Sequence, residues 1–421
     1  MNICSGDRWS PLDNLTGKKL KTNSVQGGLM AVGALWVWLI FVFAIGASVG
    51  SFLNVVIYRL PRDLSLVSPG SQCPNCHKHI RFYDNIPILS WLLLCAKCRY
   101  CKAPISPRYF VIELLTAVVF TGIFVLYFVY GFYSYFMAGP YTGLAAFIHG
   151  GWFIYLLHVI LLSGLIAASA IDLELWLIPI SICWILTAIG IIAATIGVYV
   201  LDPGVIRHYI LLPNATAPTG ALAAGAAIGM ILSIILLTTG VIKGSYISEE
   251  PSHPNAKPAA DDEKYNHRIE ILREVVFLLP IIICSAGWFY ATIRNEPIRD
   301  WWLDISQIPV IRGFLGSLWG YFVGAGVVWA TRIFGTLAFG KEAMGLGDVH
   351  LMGAAGTVIG PLLIVIAFFV APFLGLAWAA YQMFFKKTRQ IPYGPFLSLA
   401  VFAVIIGHDE IYRYIAEMFF R

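Results

Sequence analysis

The sequence predicts an all-α polytopic membrane protein of about nine or ten spans or membrane-embedded helices, with a small cysteine-bearing loop domain on one side. Three observations predict it. Of the 421 residues, 59% are apolar and only 12% charged, against roughly 45–50% and about 25% in a soluble domain. Apolar runs long enough to cross a bilayer recur along the chain, and five of the 8 cysteines fall between Cys73 and Cys101 within one polar connection. The mean hydropathy is +0.77, and 13 Trp, 20 Tyr and 27 Phe are available for interfacial belts. A soluble globule is thereby excluded. A net charge of +5 reports loop orientation in such a chain before it reports a polyanion, so no nucleic-acid partner is expected.

Residues 1–28 read as a polar tail, and 29–57 as a first span, much longer than the roughly 7–15 residue core of a cleaved signal peptide. Residues 58–108 form the loop domain, and 109–421 the remaining membrane core. Further apolar runs cover about 110–131, 151–171, 176–200, 220–242, 274–292, 313–338, 349–384 and 393–407. The run 349–384 is too long for one upright helix at about 1.5 Å per residue. Its Gly360-Pro361 offers a break between a short re-entrant helix and a span.

Connections alternate in charge, which orients the chain by the positive-inside rule. Residues 58–108 carry eight Lys/Arg, 243–273 carry five, and Lys386, Lys387 and Arg389 cluster before the last run; these go to the cytoplasm. Residues 132–150 carry none, 201–219 only Arg207, and 293–312 Arg294, Arg299 and Arg312; these go outside. The tail conflicts with the scheme, since it holds Arg8, Lys18, Lys19 and Lys21 yet must lie outside. Gly244 to Asn266 reads as a flexible polar linker. Small residues spaced by four, in Gly46/Gly50, Gly225/Gly229, Gly316/Gly320/Gly324 and Gly356/Gly360, read as helix-packing stripes. No internal repeat is apparent, which weakens an inverted-repeat transporter reading.

The loop's Cys73-Pro-Asn-Cys76 and Cys98-Arg-Tyr-Cys101 are separated by 21 residues. That is close to zinc-ribbon spacing, in which two knuckles present four thiolates tetrahedrally. Disulfides are disfavoured in a cytoplasmic loop, and structural zinc would stabilise a segment too small for its own core. Cys95 stands near enough to pair with Cys98 instead, and His77 or His79 compete as ligands; the 98/101 pair is preferred. Cys4, Cys183 and Cys284 read as small apolar residues.

Acids in or against spans cost about 2.5–3.5 kcal/mol at a helix centre and are functional candidates by default. Asp172 and Glu174 end the 151–171 run, and Asp348 follows Gly345-Leu-Gly347 before the next. Both segments reach the same face in the topology above. Two neighbouring carboxylates do not both ionise easily, which is the aspartic-protease arrangement of one water-activating and one proton-donating group. The glycines before Asp348 leave room for a substrate backbone. The plainer readings are that Asp172 and Glu174 merely end a helix and that Asp348 is an N-cap.

The chain resembles the type IV prepilin peptidases, the bifunctional leader peptidase and N-methyltransferase family of intramembrane aspartic proteases. The resemblance begins at Gly46-Ala-Ser-Val-Gly-Ser-Phe-Leu-Asn-Val-Val-Ile-Tyr-Arg-Leu-Pro61. It continues through the four cysteines, Asp84-Asn85-Ile86-Pro87, Ile105-Ser-Pro-Arg-Tyr109 and Glu113-Leu-Leu-Thr116. It resumes at the Asp172 segment, at Gly345-x-Gly347-Asp348 and at Ile391-Pro-Tyr-Gly-Pro-Phe-Leu397, and covers roughly half the chain in the family's order. The resemblance implies that Asp172 and Asp348 are catalytic and that Cys73, Cys76, Cys98 and Cys101 hold zinc. It further implies cleavage of a basic leader after a Gly, on type IV prepilins or pseudopilins of a pilus or a type II secretion system. The site would face the cytoplasm at the bacterial inner membrane, with the substrate's apolar helix among membrane lipid. The new amino terminus would then be methylated from S-adenosylmethionine, for which Glu113 and Asp84 are the candidate residues. Glu174 stands where the family often has Asp, Ile180 where an acid often follows the Pro, and His350 where Lys usually follows. An insert at about 201–312 has no assignable counterpart. The alternatives are a multispan transporter or channel with a zinc-stapled regulatory loop, disfavoured by the lack of mid-bilayer ionisable groups in 220–242 and 274–292, and a non-enzymatic assembly factor, disfavoured by retention of both aspartates.

Overall fold

A computed structural model describes residues 28–130, 144–201, 212–245, 266–381 and 392–419. The basic tail, most of the Gly244 to Asn266 linker and the Lys386, Lys387 and Arg389 cluster lie outside the described residues. The chain divides into two compact units, residues 1–41 and 42–421. The first helix, α1 (Gly28–Arg59), begins in the former, where Trp36, Val37, Ile40 and Phe41 are exposed apolar side chains.

In the second unit α1 continues and is followed by α2 (Pro107–Phe124), α3 (Trp152–Leu175), α4 (Ile180–Val200), α5 (Ala217–Thr238) and α6 (His267–Arg294). Then come the short amphipathic α7 (Glu296–Ser306), α8 (Pro309–Phe339), α9 (Leu346–Tyr381), α10 (Gly394–Ile406) and α11 (His408–Phe419). Among the described residues no strand forms, and eight helices are long and apolar enough to cross a membrane. The protein is therefore a multi-pass membrane protein, with large apolar side chains such as Ile282, Ile283, Phe369 and Phe373 on its surface.

The 349–384 run, described through Tyr381, breaks where its Gly360-Pro361 predicts: two helical pieces meet in a kink at Gly360, whose φ of 83° only glycine adopts without strain. The 393–407 run is a 13-residue helix followed by a 69° bend into α11, and a ninth span results only if this bent pair is counted as one. Thirteen residues reach about 20 Å at 1.5 Å per residue, short of a hydrocarbon core of about 30 Å.

Packing follows the small-residue stripes, because lipid offers helices no hydrophobic drive to associate and close backbone contact must supply it. A Cβ on Gly46 would stand 2.8 Å from the Ala117 Cα, and one on Gly50 2.7 Å from the Glu113 Cα, so α1 and α2 touch along this edge. Asn54 donates to the Tyr109 carbonyl at 3.0 Å, adding a polar tie. The opening motif is thus largely a helix-pairing surface. Gly225 and Gly229 bring α5 against α6 at Cys284, Ser285, Pro280 and Ile281, with Ser233 bonded to the Phe277 carbonyl at 2.7 Å. The two form a hairpin within the stretch read as an insert, fastened by a bond from Trp302 on α7 to the Ala217 carbonyl at 2.8 Å.

Gly320 and Gly356 meet backbone to backbone where α8 crosses α9, next to a Ser317 bond to the Thr357 carbonyl at 2.9 Å. Gly356→Val should lower stability by about 1–3 kcal/mol, because its new methyls overlap the Gly320 carbonyl. Gly326→Ala, which meets nothing within 4 Å, should stay within about 0.5 kcal/mol of the parent. Unfolding midpoints in detergent provide the comparison.

Candidate active site and metal centre

The four-cysteine loop folds as two equivalent knuckles. In the first, the Cys73 N–H donates to the Lys78 carbonyl at 3.0 Å and the His77 N–H to the Cys73 carbonyl at 2.9 Å. In the second, Cys98 donates to Ala103 at 2.9 Å and Lys102 to Cys98 at 3.0 Å, the same pattern residue for residue. His77 and Lys102 share a positive φ, 54° and 59°, just after the second cysteine of each knuckle. Isolated bridges Gln72 to His79 and Lys97 to Pro104 close them.

The ligand atoms of Cys73, Cys76, Cys98 and Cys101 lie within 4.8 Å of one another, and the Cys73 and Cys101 sulfurs are 3.8 Å apart. A tetrahedral ion with metal–sulfur bonds of about 2.3 Å gives an edge of roughly 3.8 Å. The set therefore fits a metal ion, and Cys95, exposed and outside it, is not one of the four. The Ala103 N–H, with help from the Asn75 side chain, holds the Cys101 thiol down to about 6. The Lys78 N–H acts in the same sense on Cys76, yet burial and the three neighbouring sulfurs push it up to about 11. Sulfurs this close need a cation before all can ionise.

Asp84 belongs to the same loop. Arg99 holds both its carboxylate oxygens, at 2.7 and 2.5 Å, and this hydrogen-bonded guanidinium keeps the Asp84 carboxyl below its ordinary range. The clasp's stabilising contribution is present above that ordinary range and is lost as the pH falls through the depressed value.

Glu113 is buried on α2 and accepts from the Ile88 N–H at 2.7 Å, with the Ser51 side chain as a second partner. Ile88 has φ 65° and ψ −56°, a costly conformation for a β-branched residue. Arg108, at the start of α2, grips both oxygens of Glu174 at 2.5 and 2.6 Å. The cysteine loop is thereby tied to the end of α3 that carries Asp172.

Asp172 is buried, and its Oδ2 accepts from the Gly394 N–H at 3.1 Å. Asp348 lies in the first turn of α9, also buried, and its Oδ2 accepts from the Gly345 N–H at 3.3 Å. The two segments converge on Ile178, which lies against Gly347 on one side and against Gly394, beside the Asp172 carboxylate, on the other. A Cβ on Gly347 would stand 2.8 Å from the Ile178 Cβ, and one on Gly394 2.8 Å from the Asp172 Oδ2. Gly347 therefore serves packing, while a Cβ on Gly345 would stand 3.5 Å from the Asp348 Oδ2, in ordinary contact with the carboxylate. His350 sits beside Trp184, its Nδ1 3.3 Å from the Tyr321 hydroxyl.

The sequence reading missed Arg332, fully buried on α8 and bonded to Glu274, to Glu342 and to the Met344 carbonyl. A lone cation inside an apolar run was the available signal.

Fold and site together define a polytopic helical membrane protein with a four-thiol loop and two buried, neighbouring carboxylates at one end of its bundle. Residues 44–127 match the model of the bacterial peptidase A24 N-terminal domain, and residues 276–380 that of the type IV leader peptidase family. A Klebsiella pneumoniae prepilin leader peptidase/N-methyltransferase is 31% identical over 211 residues, 49% of this chain and 78% of that protein. The chain belongs to the type IV leader peptidase family. Proteins of the same description from Aeromonas hydrophila and Myxococcus xanthus are similar too. The first is 23% identical over 91% of this chain and 96% of its own length, and the second 41% identical over 34% of this chain and 36% of its own length. No solved structure matches. The second family match begins at residue 276, within the stretch read as an insert.

Chelatable metal should be present in the purified protein and lost from a Cys73→Ser, Cys101→Ser double variant. Cys95→Ser should keep its full content by elemental analysis.

Proposed function

We propose that this protein is a membrane-embedded aspartic endopeptidase that removes the leader of type IV prepilins or pseudopilins, then methylates the new amino terminus from S-adenosylmethionine. The observation that carries the reading is that Asp172 and Asp348, two rare buried acids from distant segments, stand on segments that converge on Ile178 at one end of the bundle. The relatives described as prepilin leader peptidase/N-methyltransferase support it. A transporter or channel is not favoured, since the family match and the paired acids have no role in it.

In this mechanism one aspartate takes a proton from water as the oxygen attacks the scissile carbonyl. The other gives its proton to the carbonyl oxygen; as the tetrahedral intermediate collapses it takes that proton back, and the first aspartate passes the proton from water to the leaving amine. The Gly394 N–H orients Asp172 and the Gly345 N–H orients Asp348, so neither needs to reorganise at the moment of reaction. The acids face the cytoplasm of a bacterial inner membrane by the positive-inside rule, placing the cut where a basic leader meets the apolar helix of its substrate. Asp172→Asn and Asp348→Asn should each lower leader cleavage by at least about 10²-fold, with protein still in the membrane; Glu174→Gln should be milder. Mass spectrometry of the product's amino terminus gives the readout, and near-normal cleavage by either Asn variant overturns the two-carboxylate mechanism.

The four cysteines hold a structural zinc, which orders the knuckles. The methyl group comes from S-adenosylmethionine. Of the two acids proposed for that side, Asp84 has both oxygens taken by Arg99. Glu113 is the better placed, buried and fixed by Ile88 and Ser51. If the knuckles organise this second activity, Cys73→Ser with Cys101→Ser should cut methyl incorporation sharply and cleavage less. Losing two thiolates releases the metal and unfolds the loop, while the aspartates stay on packed helices. Full methylation without bound metal removes the loop from this role.

A further inference from the structure

Near its start α6 buries two acids, Glu270, paired with Arg273, and Glu274, which meets Arg332 on α8. The Glu274 side chain is 3% exposed and that of Arg332 1%. The Glu274 carboxylate accepts from Trp329 Nε1 at 2.7 Å and from Arg332 at 3.1 Å through Nε and 2.9 Å through Nη2. The remaining edge of the guanidinium, Nη1, donates to the Met344 carbonyl and to the Glu342 carboxylate. Met344 is the residue before Gly345-Leu-Gly-Asp348. One turn along α8 from Arg332, the Thr336 hydroxyl accepts from the Ala343 N–H at 3.1 Å.

A guanidinium is a rigid plane whose donors leave in fixed directions, so fixing one edge aims the other. We infer that Glu274 and Arg332 are positioning residues for the cleavage reaction: Glu274 orients the guanidinium, and the guanidinium holds residues 342–348 so that Asp348 stands against Asp172. The inference rests on the catalytic role proposed for Asp348. It also gives the α5–α6 hairpin a task, since Glu274 is its contribution to the site. A lysine at 332 has one point of attachment and does not span Glu274 and Met344 together.

The test uses full-length protein in detergent and the variants Arg332→Lys, Glu274→Ala and Glu274→Gln. Hydrogen exchange is followed along the chain. Steady-state cleavage is measured on a peptide carrying a basic leader, a Gly at the cut and an apolar helix. In Arg332→Lys and Glu274→Ala, the amides of residues 343–345 should exchange at least about tenfold faster while α3 and the cysteine loop keep their rates. Their kcat should fall at least about tenfold with KM within about threefold. Glu274→Gln keeps an acceptor for Trp329 and Arg332 and should recover most of both losses. Unchanged exchange at 343–345 overturns the inference, and so does acceleration spread evenly through the membrane helices, the mark of a general brace. Asp348→Asn is measured alongside. Normal cleavage by that variant overturns the catalytic reading on which the inference rests, whereas the exchange rates judge the hold on residues 342–348 separately.

Discussion

The rest of the structure depends on the backbone contact between α8 and α9. Two helices in lipid gain little from hiding apolar side chains, because the tails around them are equally apolar. What they gain comes from close packing, and Gly320, Gly324 and Gly356 remove the side chains that would hold them apart. This crossing fixes the end of α8, where Arg332 and Thr336 stand, relative to the start of α9, where Asp348 stands. Ser317, bonded to the Thr357 carbonyl, sets the rotation of one helix about the other.

Charge at this end of the bundle is expensive and is partnered accordingly. A buried ion pair of the Glu274–Arg332 kind is a weak source of stability, yet removal of one partner strands the other at a cost of about 3–5 kcal/mol. Such a pair is an effective device for fixing geometry. Glu174 with Arg108 and Asp84 with Arg99 are more exposed members of the same set; the second closes the cysteine loop on itself, and the first joins that loop to the end of α3 where Asp172 lies.

Much of this was legible in the sequence. The knuckle spacing named the four thiols and preferred 98/101, and the geometry agrees because both knuckles use one hydrogen-bond pattern with Cys95 left outside. The rarity of acids against apolar runs pointed to Asp172 and Asp348. The small-residue stripes read as packing are packing, except Gly360, where the requirement is a backbone angle. Other features were hidden for physical reasons. Hydropathy does not reveal that 393–407 is too short to cross and turns by 69° into the next helix: Gly407 marks where the helix stops, but the direction the chain takes afterwards is set by packing. Nor does it reveal that Glu274 and Arg332 meet, since the partners lie 58 residues apart on helices whose rotation only packing determines.

The α5–α6 hairpin contributes two crossings between α4 and α8. Two is an even number, and evenness has a consequence for how a chain of this kind can lengthen. A single added crossing would invert every later helix and carry Asp348 to the opposite side of the bilayer from Asp172. A returning pair leaves the handedness of all that follows untouched. An even number of crossings between α4 and α8 is therefore what parity requires of a site assembled from the end of α3 and the start of α9, and the α5–α6 pair carries a buried carboxylate, Glu274, with it.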